Sequence, residues 1–121
     1  MPNSCFRLVF GKFICGAWPM LWPVIRSGLF LLLFTHAAQA DFERGLAAYE
    51  GGDFEVALHQ WIEAGQRGNP RAQYNLGLMY RRGLGVAVDE HKAAYWFERA
   101  AQAGDAEAHH NLAMLYEHGA G

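Results

Sequence analysis

The stretch that decides the fold is AQYNLGLMYRRGLGVAVDEHKAAYWFERAAQAG, residues 72–104. Its apolar residues fall into two runs with helical spacing, and a glycine-rich loop separates the runs. In the first run, Ala72, Leu76, Met79 and Tyr80 would lie on one face of a helix. The second run carries an equivalent stripe: Ala93, Trp96, Phe97, Ala100 and Ala101. The pattern predicts two amphipathic helices packed as an antiparallel hairpin.

The ends of both helices are marked in the sequence. Asn69 precedes Pro70, which places a capping side chain before a proline at the first helical position, where its missing N–H costs nothing. Gly83 is predicted to end this helix, Asp89 to cap the next one, and Gly104 to end it. The loop RRGLGV, residues 81–86, then follows a helix C-terminus, where Arg81 and Arg82 complement the helix dipole.

The hairpin belongs to an internal repeat, because residues 53–85 recur as residues 89–121 with an offset of 36 positions. Eleven of the 33 positions are identical, and such self-similarity is typical of stacked repeat arrays. The identical pairs are Asp53/Asp89, Ala57/Ala93, Ala64/Ala100, Gln66/Gln102, Gly68/Gly104, Ala72/Ala108, Asn75/Asn111, Leu76/Leu112, Tyr80/Tyr116, Gly83/Gly119 and Gly85/Gly121. Small residues such as Gly77 allow close helix approach, while Tyr80 and Phe97 are predicted to fill the space between neighbouring hairpins.

Two resemblances follow from these motifs. Residues 45–61, with Gly45, Tyr49, Asp53, Ala57 and Trp61 in a compact arrangement, look like a tetratricopeptide hairpin. The motif at residues 72–104 resembles the Sel-1-like repeat at almost every diagnostic position. The resemblance implies an all-α fold, a short α-solenoid of antiparallel helix hairpins with about two and a half repeats. It also implies an interaction scaffold, often an exported one in bacteria.

In tetratricopeptide hairpins the first helix of each unit lines a concave face, and the resemblance carries this expectation over. The predicted concave binding face comprises Arg71, Tyr74, Asn75, Leu78, Arg81, His110, Asn111 and Met114, with Glu43, Ala47, Glu50, Glu107 and Glu117 alongside. A groove of aromatic, amide and charged groups suits an extended peptide or a partner helix. For Asn75 and Asn111, a purely structural hydrogen bond to a neighbouring turn is an equal alternative.

The first 40 residues differ sharply from the rest. They hold three cations, both cysteines and no acidic residue, whereas residues 41–121 hold all twelve acidic residues against seven Lys or Arg, a formal charge of −5. A cation, an apolar run and Ala38-x-Ala40 predict a secretory signal peptide over residues 1–40, cleaved before Asp41, with Met20 as an alternative true start. The repeat domain then covers residues 41–121, and the protein is predicted to be periplasmic or secreted. The alternative is that the signal stays uncleaved and anchors the protein in the membrane.

No catalytic constellation is found, and neither an enzyme nor a cofactor is predicted. Residues 41–121 contain no Ser, Thr or Cys, so a hydroxyl or thiol nucleophile is absent from them. The adjacent His109 and His110 point about 100° apart on a helix and do not form a joint metal site. RRGLGV is a poor candidate for a phosphate-binding loop, because phosphate sites lie at helix N-termini and this loop is predicted to follow a helix C-terminus. The negative charge disfavours nucleic acid.

The sequence therefore favours an exported scaffold that binds another protein or peptide in the bacterial envelope. Two alternatives are a β-lactam-binding or weakly hydrolysing enzyme, as described for cysteine-rich relatives with a disulfide in each repeat, and a cell-wall glycan binder using Tyr74 and Tyr95. Without its signal the domain has no stable membrane insertion. Its third unit stops at Gly121, so either the last helix is a cap, the sequence is truncated, or self-association completes the core.

Overall fold

The computed structural model describes residues 32–33 and 35–119. The chain falls into two units, Met1–Phe34 and Thr35–Gly121. Of the first unit only Leu32 and Leu33 are described, and both are helical and exposed. Most of the predicted signal peptide, residues 1–31 and 34, therefore lies outside the described residues.

The second unit consists of five helices in its described part. Helix α1 covers residues 35–50. It is followed by α2 (Phe54–Gln66), α3 (Pro70–Arg82), α4 (Glu90–Gln102) and α5 (Ala106–Glu117). No strand occurs among residues 35–119. The prediction of an all-α solenoid with two hairpins and one further helix is confirmed.

The helices begin where the sequence places its caps. The Asn69 side chain accepts hydrogen bonds from the backbone N–H groups of Arg71 and Ala72, at 3.0 and 3.2 Å, and Pro70 follows it. Asp89 accepts from the Lys92 N–H at 3.0 Å. Such side-chain oxygens satisfy amide groups that the first turn of a helix leaves unpaired. The predicted starts of α3 and α4 are thus confirmed.

The RRGLGV loop is a helix-terminating turn. Gly83 caps α3 in the left-handed conformation, with φ of 72°, and its N–H donates to the Met79 carbonyl at 2.8 Å. Gly85 also has a positive φ, and a Cβ there would lie 2.7 Å from the backbone oxygen of Phe54. Both positions therefore require glycine. The loop follows a helix C-terminus, as predicted, so its amide groups do not form a phosphate cradle at a helix N-terminus.

The two predicted apolar stripes are buried, and Phe97 is at their centre with no exposed surface. Its ring lies against Gly77, where an added Cβ would be 2.5 Å from ring atom Cε1. Phe97 therefore packs first within its own α3–α4 hairpin rather than between hairpins. The Phe97 ring also packs against the Tyr74 ring of α3, with 5.8 Å between the two ring centroids. Glycine at position 77 is what allows α3 and α4 to approach this closely.

A second aromatic centre holds α1 against α2. Trp61 is 2% exposed, and its indole N–H donates to the Phe42 carbonyl at 3.1 Å. The ring stacks on Phe42 with a centroid distance of 6.1 Å and lies over Gly45, where a Cβ would come within 2.4 Å. Gly45 therefore has the role in the first hairpin that Gly77 has in the second.

Helix α1 runs through the predicted cleavage point. Ala38 is buried, and the Asn69 side-chain amide donates to its carbonyl at 3.4 Å. Asp41 is also buried and forms an ion pair with Arg67, the residue that caps the C-terminus of α2. The compact unit thus begins at Thr35, six residues before the predicted boundary. Cleavage after Ala40 stays a prediction.

No helix among the described residues is both long and apolar enough to cross a bilayer.

Candidate functional site

Helix α3 forms the centre of the predicted binding face. Tyr74, Asn75 and Leu78 are half-buried, and Arg71 is exposed. Two depressions flank α3 at these residues, one shared with α5 and the other shared with α1. Part of the predicted face thus lines two recesses, one on each side of α3.

The first depression has a volume of about 380 Å³ and lies between residues of α3 and α5. Its lining residues are Tyr74, Ala106, Glu107, His110 and Asn111. Glu107 and His110 are exposed, while Tyr74 and Asn111 are half-buried. The recess therefore offers a carboxylate, an imidazole and a phenol at its surface.

Asn111 makes hydrogen bonds to three residues in and beside this recess. Its side-chain amide donates to the Glu107 carbonyl at 2.9 Å and contacts the Tyr74 hydroxyl at 3.5 Å. Its side-chain oxygen accepts from the Arg81 guanidinium at 2.6 Å. Each of these contacts links neighbouring elements or turns of the solenoid. These hydrogen bonds leave Asn111 little free hydrogen-bonding capacity toward a ligand, and its place in the binding face stays a prediction.

Burial raises the pKa of the Tyr74 hydroxyl above its ordinary value of 10.0, and the Glu107 carboxylate adds to this increase through a hydrogen bond and its negative charge. The hydroxyl therefore stays protonated at neutral pH. A protonated phenol beside a carboxylate donates to that carboxylate and orients it. Glu107 supplies the carboxylate of the first depression.

The second depression is smaller and mostly apolar, with a volume of about 140 Å³. It lies between α1 and α3, and its lining residues are Leu46, Tyr49, Trp61, Asn75, Leu78, Met79 and Leu84. Three of these residues carry polar groups: Asn75, Tyr49 with its hydroxyl, and Trp61 with its indole N–H. The Trp61 N–H already donates to the Phe42 carbonyl. The recess is suited to an apolar side chain.

The remaining predicted residues divide between surface and structure. Arg71 is exposed, with its guanidinium 4.5 Å from the centre of the Phe42 ring. Arg81 is held by Asn111 and lies 6.0 Å from the Phe97 ring centre, so its charge stabilises the packing of α5 on α3. Met114 is 39% exposed on α5. Those on α1 are all exposed: Glu43, Ala47 and Glu50.

Sequence reasoning missed the lining supplied by α1 and by the loop. Leu46, Tyr49 and Leu84 form much of the second depression, although none was assigned to the binding face. Their half-burial depends on how α1 and the loop meet α3. The signal that could have found Leu46 and Tyr49 is their helical spacing beside Ala47 and Glu50, which places them at the edge of the same face.

Among the described residues, no group of three or more His, Cys, Asp or Glu side chains is arranged to hold a metal ion. His118 contacts the Met114 carbonyl at 2.7 Å through Nδ1, and His109 and His110 are exposed. Tyr95 is half exposed on α4, where its hydroxyl accepts from Arg99 at 2.7 Å. Tyr74 and Tyr95 lie on different helices and do not form a shared aromatic platform within the described part of the chain.

Comparisons with known proteins agree with this architecture. A family model described as Sel1 repeat matches residues 70–105 and 106–121. The crystal structure of a Sel1 repeat protein from Oxalobacter formigenes matches with a TM-score of 0.63 and 41% sequence identity. The match covers 64% of this chain and 24% of that one, so the present chain spans about a quarter of that protein. No curated protein matches the chain.

Proposed function

Since the chain is a member of the Sel-1-like repeat family, whose repeats generally mediate protein–protein interaction, we propose that it is a scaffold that binds a protein segment across α3. The observation that carries this proposal is the pair of depressions on either side of one helix. Repeat scaffolds of this type are typically non-enzymatic. The absence of Ser, Thr and Cys from residues 41–121 supports a role without covalent chemistry.

The chemistry of the two depressions indicates what the bound segment carries. The α1–α3 depression takes an apolar side chain, because Leu46, Leu78 and Leu84 line it. The α3–α5 depression takes a basic or hydrogen-bond-donating side chain, because Glu107 and the Tyr74 hydroxyl lie there. An extended peptide or a helix with one apolar and one basic anchor fits this arrangement.

A photo-crosslinking residue at Leu78 is expected to form one discrete adduct with a partner protein in the bacterial envelope. The same residue at His91, exposed on α4, is the matched control and is expected to form none. The measurement is immunoblotting and mass spectrometry of adducts after irradiation of intact cells. Adducts of equal yield from Leu78 and His91 would contradict the proposed face.

A pair of charge reversals extends this experiment. Glu107→Lys is expected to reduce the adduct yield about tenfold, equivalent to about 1.4 kcal/mol, because it places a cation where the partner's cation binds. Glu98→Lys makes the same charge change at an exposed position of α4 and is expected to leave the yield unchanged. Equal losses in both variants would point to a general effect of net charge.

We further propose that the protein acts in the periplasm or outside the cell. The signal-like segment ending at Ala40 supports this placement. Processing there would leave Asp41 at the start of α1, where its carboxylate pairs with Arg67 and where a negative charge is favourable to the helix dipole. The shortened α1 loses the contact between Ala38 and Asn69 but keeps the contact between Phe42 and Trp61 of α2.

N-terminal sequencing of the protein from the envelope or the medium is expected to begin at Asp41. Ala40→Leu is expected to accumulate uncleaved precursor, because the cleavage site requires small residues. The N-terminus of that precursor distinguishes a start at Met1 from one at Met20. A wild-type chain found in the membrane fraction with an intact N-terminus would show the uncleaved anchor instead.

A further inference from the structure

The segment just before the predicted cleavage point is part of a folded helix. Helix α1 covers residues 35–50 without a break, and the compact unit begins at Thr35. The first residues of a domain are poorly ordered unless contacts hold them down. The bond between Ala40 and Asp41 therefore lies inside a helix, and what matters is whether contacts fix that part of the helix.

Contacts on both sides of this bond fix it to the rest of the unit. Ala38 is 5% exposed, and the Asn69 side-chain amide donates to its carbonyl at 3.4 Å. Asp41 is 9% exposed and forms an ion pair with Arg67. Phe42, the next residue, is 2% exposed. The residues around the bond are thus attached both to the C-terminal end of α2 and to the cap of α3.

These attachments conflict with what a peptidase requires. A peptidase binds the chain around the bond that it cuts in an extended conformation, whereas a helix pairs its backbone N–H and C=O groups with one another. A signal peptidase also recognises the small side chains of Ala38 and Ala40, and that of Ala38 is buried in the folded unit. Cleavage here therefore requires that residues 38–41 first leave their places.

We propose that docking of the start of α1 protects the bond between Ala40 and Asp41, so that cleavage and docking exclude each other. The role of this protection in the cell rests on the proposed processing after Ala40, whereas the protection itself is a property of the folded chain. A chain that is cut first folds from Asp41. A chain that folds first keeps residues 1–40, so the order of the two events decides which form results.

Both forms retain the centre of the first hairpin. The Trp61 indole N–H donates to the Phe42 carbonyl, and the Trp61 ring lies over Gly45, so these contacts come from residues after the bond. The cut form loses the hydrogen bond between Asn69 and the Ala38 carbonyl. The uncut form is therefore the more firmly docked of the two, and a folded, uncut chain does not reopen readily.

A protease that cuts on the N-terminal side of aspartate attacks this same bond, whether or not the segment before it is a signal. The bond between Val88 and Asp89 is the internal control, because it lies in the loop between α3 and α4 and Val88 is 61% exposed. In the folded full chain, kept in a mild detergent, cutting before Asp41 is expected to be at least about a hundredfold slower than cutting before Asp89.

Urea that unfolds the chain but not the protease is expected to make the two rates similar. Equal rates in the folded chain would overturn the proposal. Hydrogen exchange of the full chain provides a second measurement: the backbone amides of residues 38–42 are expected to exchange as slowly as those of α2. Exchange as fast as that of Ala87 and Val88, which are exposed in the loop, would also overturn it.

Two arginine substitutions test whether the contacts of Asp41 cause the protection. Arg67→Ala leaves the buried carboxylate without this partner and is expected to speed cutting before Asp41 about tenfold, since cutting follows the population of the opened segment. Arg82→Ala makes the same charge change at an exposed position of α3 and is expected to have no effect. The rate before Asp89 in each variant corrects for a general loosening of the fold, and equal acceleration in both variants would contradict the proposed cause.

Signal peptidase in the same detergent tests the cellular step. Trp61→Ala, which removes the centre of the first hairpin, is expected to be cut after Ala40, whereas the folded wild-type chain is not. A folded wild-type chain that is cut as rapidly as Trp61→Ala would overturn the proposal. If signal peptidase cuts neither chain, the proposed processing after Ala40 is wrong, and the aspartate-directed protease and hydrogen exchange still decide whether the bond is protected.

Discussion

Replacing Phe97 by alanine is expected to lower the free energy of unfolding by about 3–5 kcal/mol, the range for removal of a fully buried aromatic side chain. The ring has no exposed surface and contacts Gly77, Tyr74 and the Arg81 guanidinium. Neighbouring backbone cannot collapse into the space without moving α3 relative to α4. A loss of this size is a large part of the total stability of a small domain.

Urea denaturation followed by circular dichroism measures this change. Tyr95→Ala is the matched control, because Tyr95 precedes Trp96 on the same helix and is 50% exposed. Its loss is expected to be about 1 kcal/mol or less, since half of its surface already contacts water. Similar losses in the two variants would show that Phe97 is not the centre of this hairpin.

The second large effect is expected for Trp61→Ala, which removes the centre of the α1–α2 hairpin. The substitution takes away a side chain that is 2% exposed and leaves the buried Phe42 carbonyl without its indole donor. Cavity formation costs about 3–5 kcal/mol. Loss of the indole hydrogen bond adds about 0.5–1.5 kcal/mol. The first hairpin is expected to lose its ordered packing before the second.

Trp61→Phe separates these two contributions. It keeps an aromatic ring against Tyr49 and Gly45 but lacks the N–H donor, so its loss of stability is expected to be smaller than that of Trp61→Ala. The measurement is urea denaturation by far-ultraviolet circular dichroism, which does not depend on tryptophan fluorescence. Equal losses in the two variants would contradict a packing role for the ring.

Local features of the fold were predictable because their causes lie within a few residues. The caps Asn69 and Asp89, the proline at position 70 and the terminating Gly83 act through contacts between near neighbours. The buried stripes follow from helical period alone. The cap residues account for the bounds of α3 and α4, and the helical period accounts for which face of each helix is buried.

Contacts between distant residues were not predictable in the same way. The buried Asp41 belongs to the repeat core through Arg67, 26 positions away, and no periodicity marks that pair. Gln73 is buried because its side-chain amide donates to the Gly65 carbonyl at 2.9 Å, yet its sequence character is polar. Both contacts depend on how the C-terminal end of α2 packs against α1 and α3, and the sequence pattern does not specify that packing.

The binding face shows the same division. Tyr74, His110 and Asn111 were expected on one face and do line one depression. Whether an asparagine or arginine is free for a ligand depends on side-chain partners, and Asn111 pairs with Arg81 across two helices. The pattern predicts the face, whereas the partners within it depend on the packing of α5.

Each helix of the solenoid packs on its neighbours in the sequence, with α3 joined to α2 and α4, and α5 joined to α4. Contacting residues are therefore close along the chain, and chains of low contact order fold rapidly. Folding of such an array can begin in any one hairpin and propagate outward. Because α3 and α4 are capped and pack around Phe97, we expect their hairpin to form first and α1 and α5 to add to it.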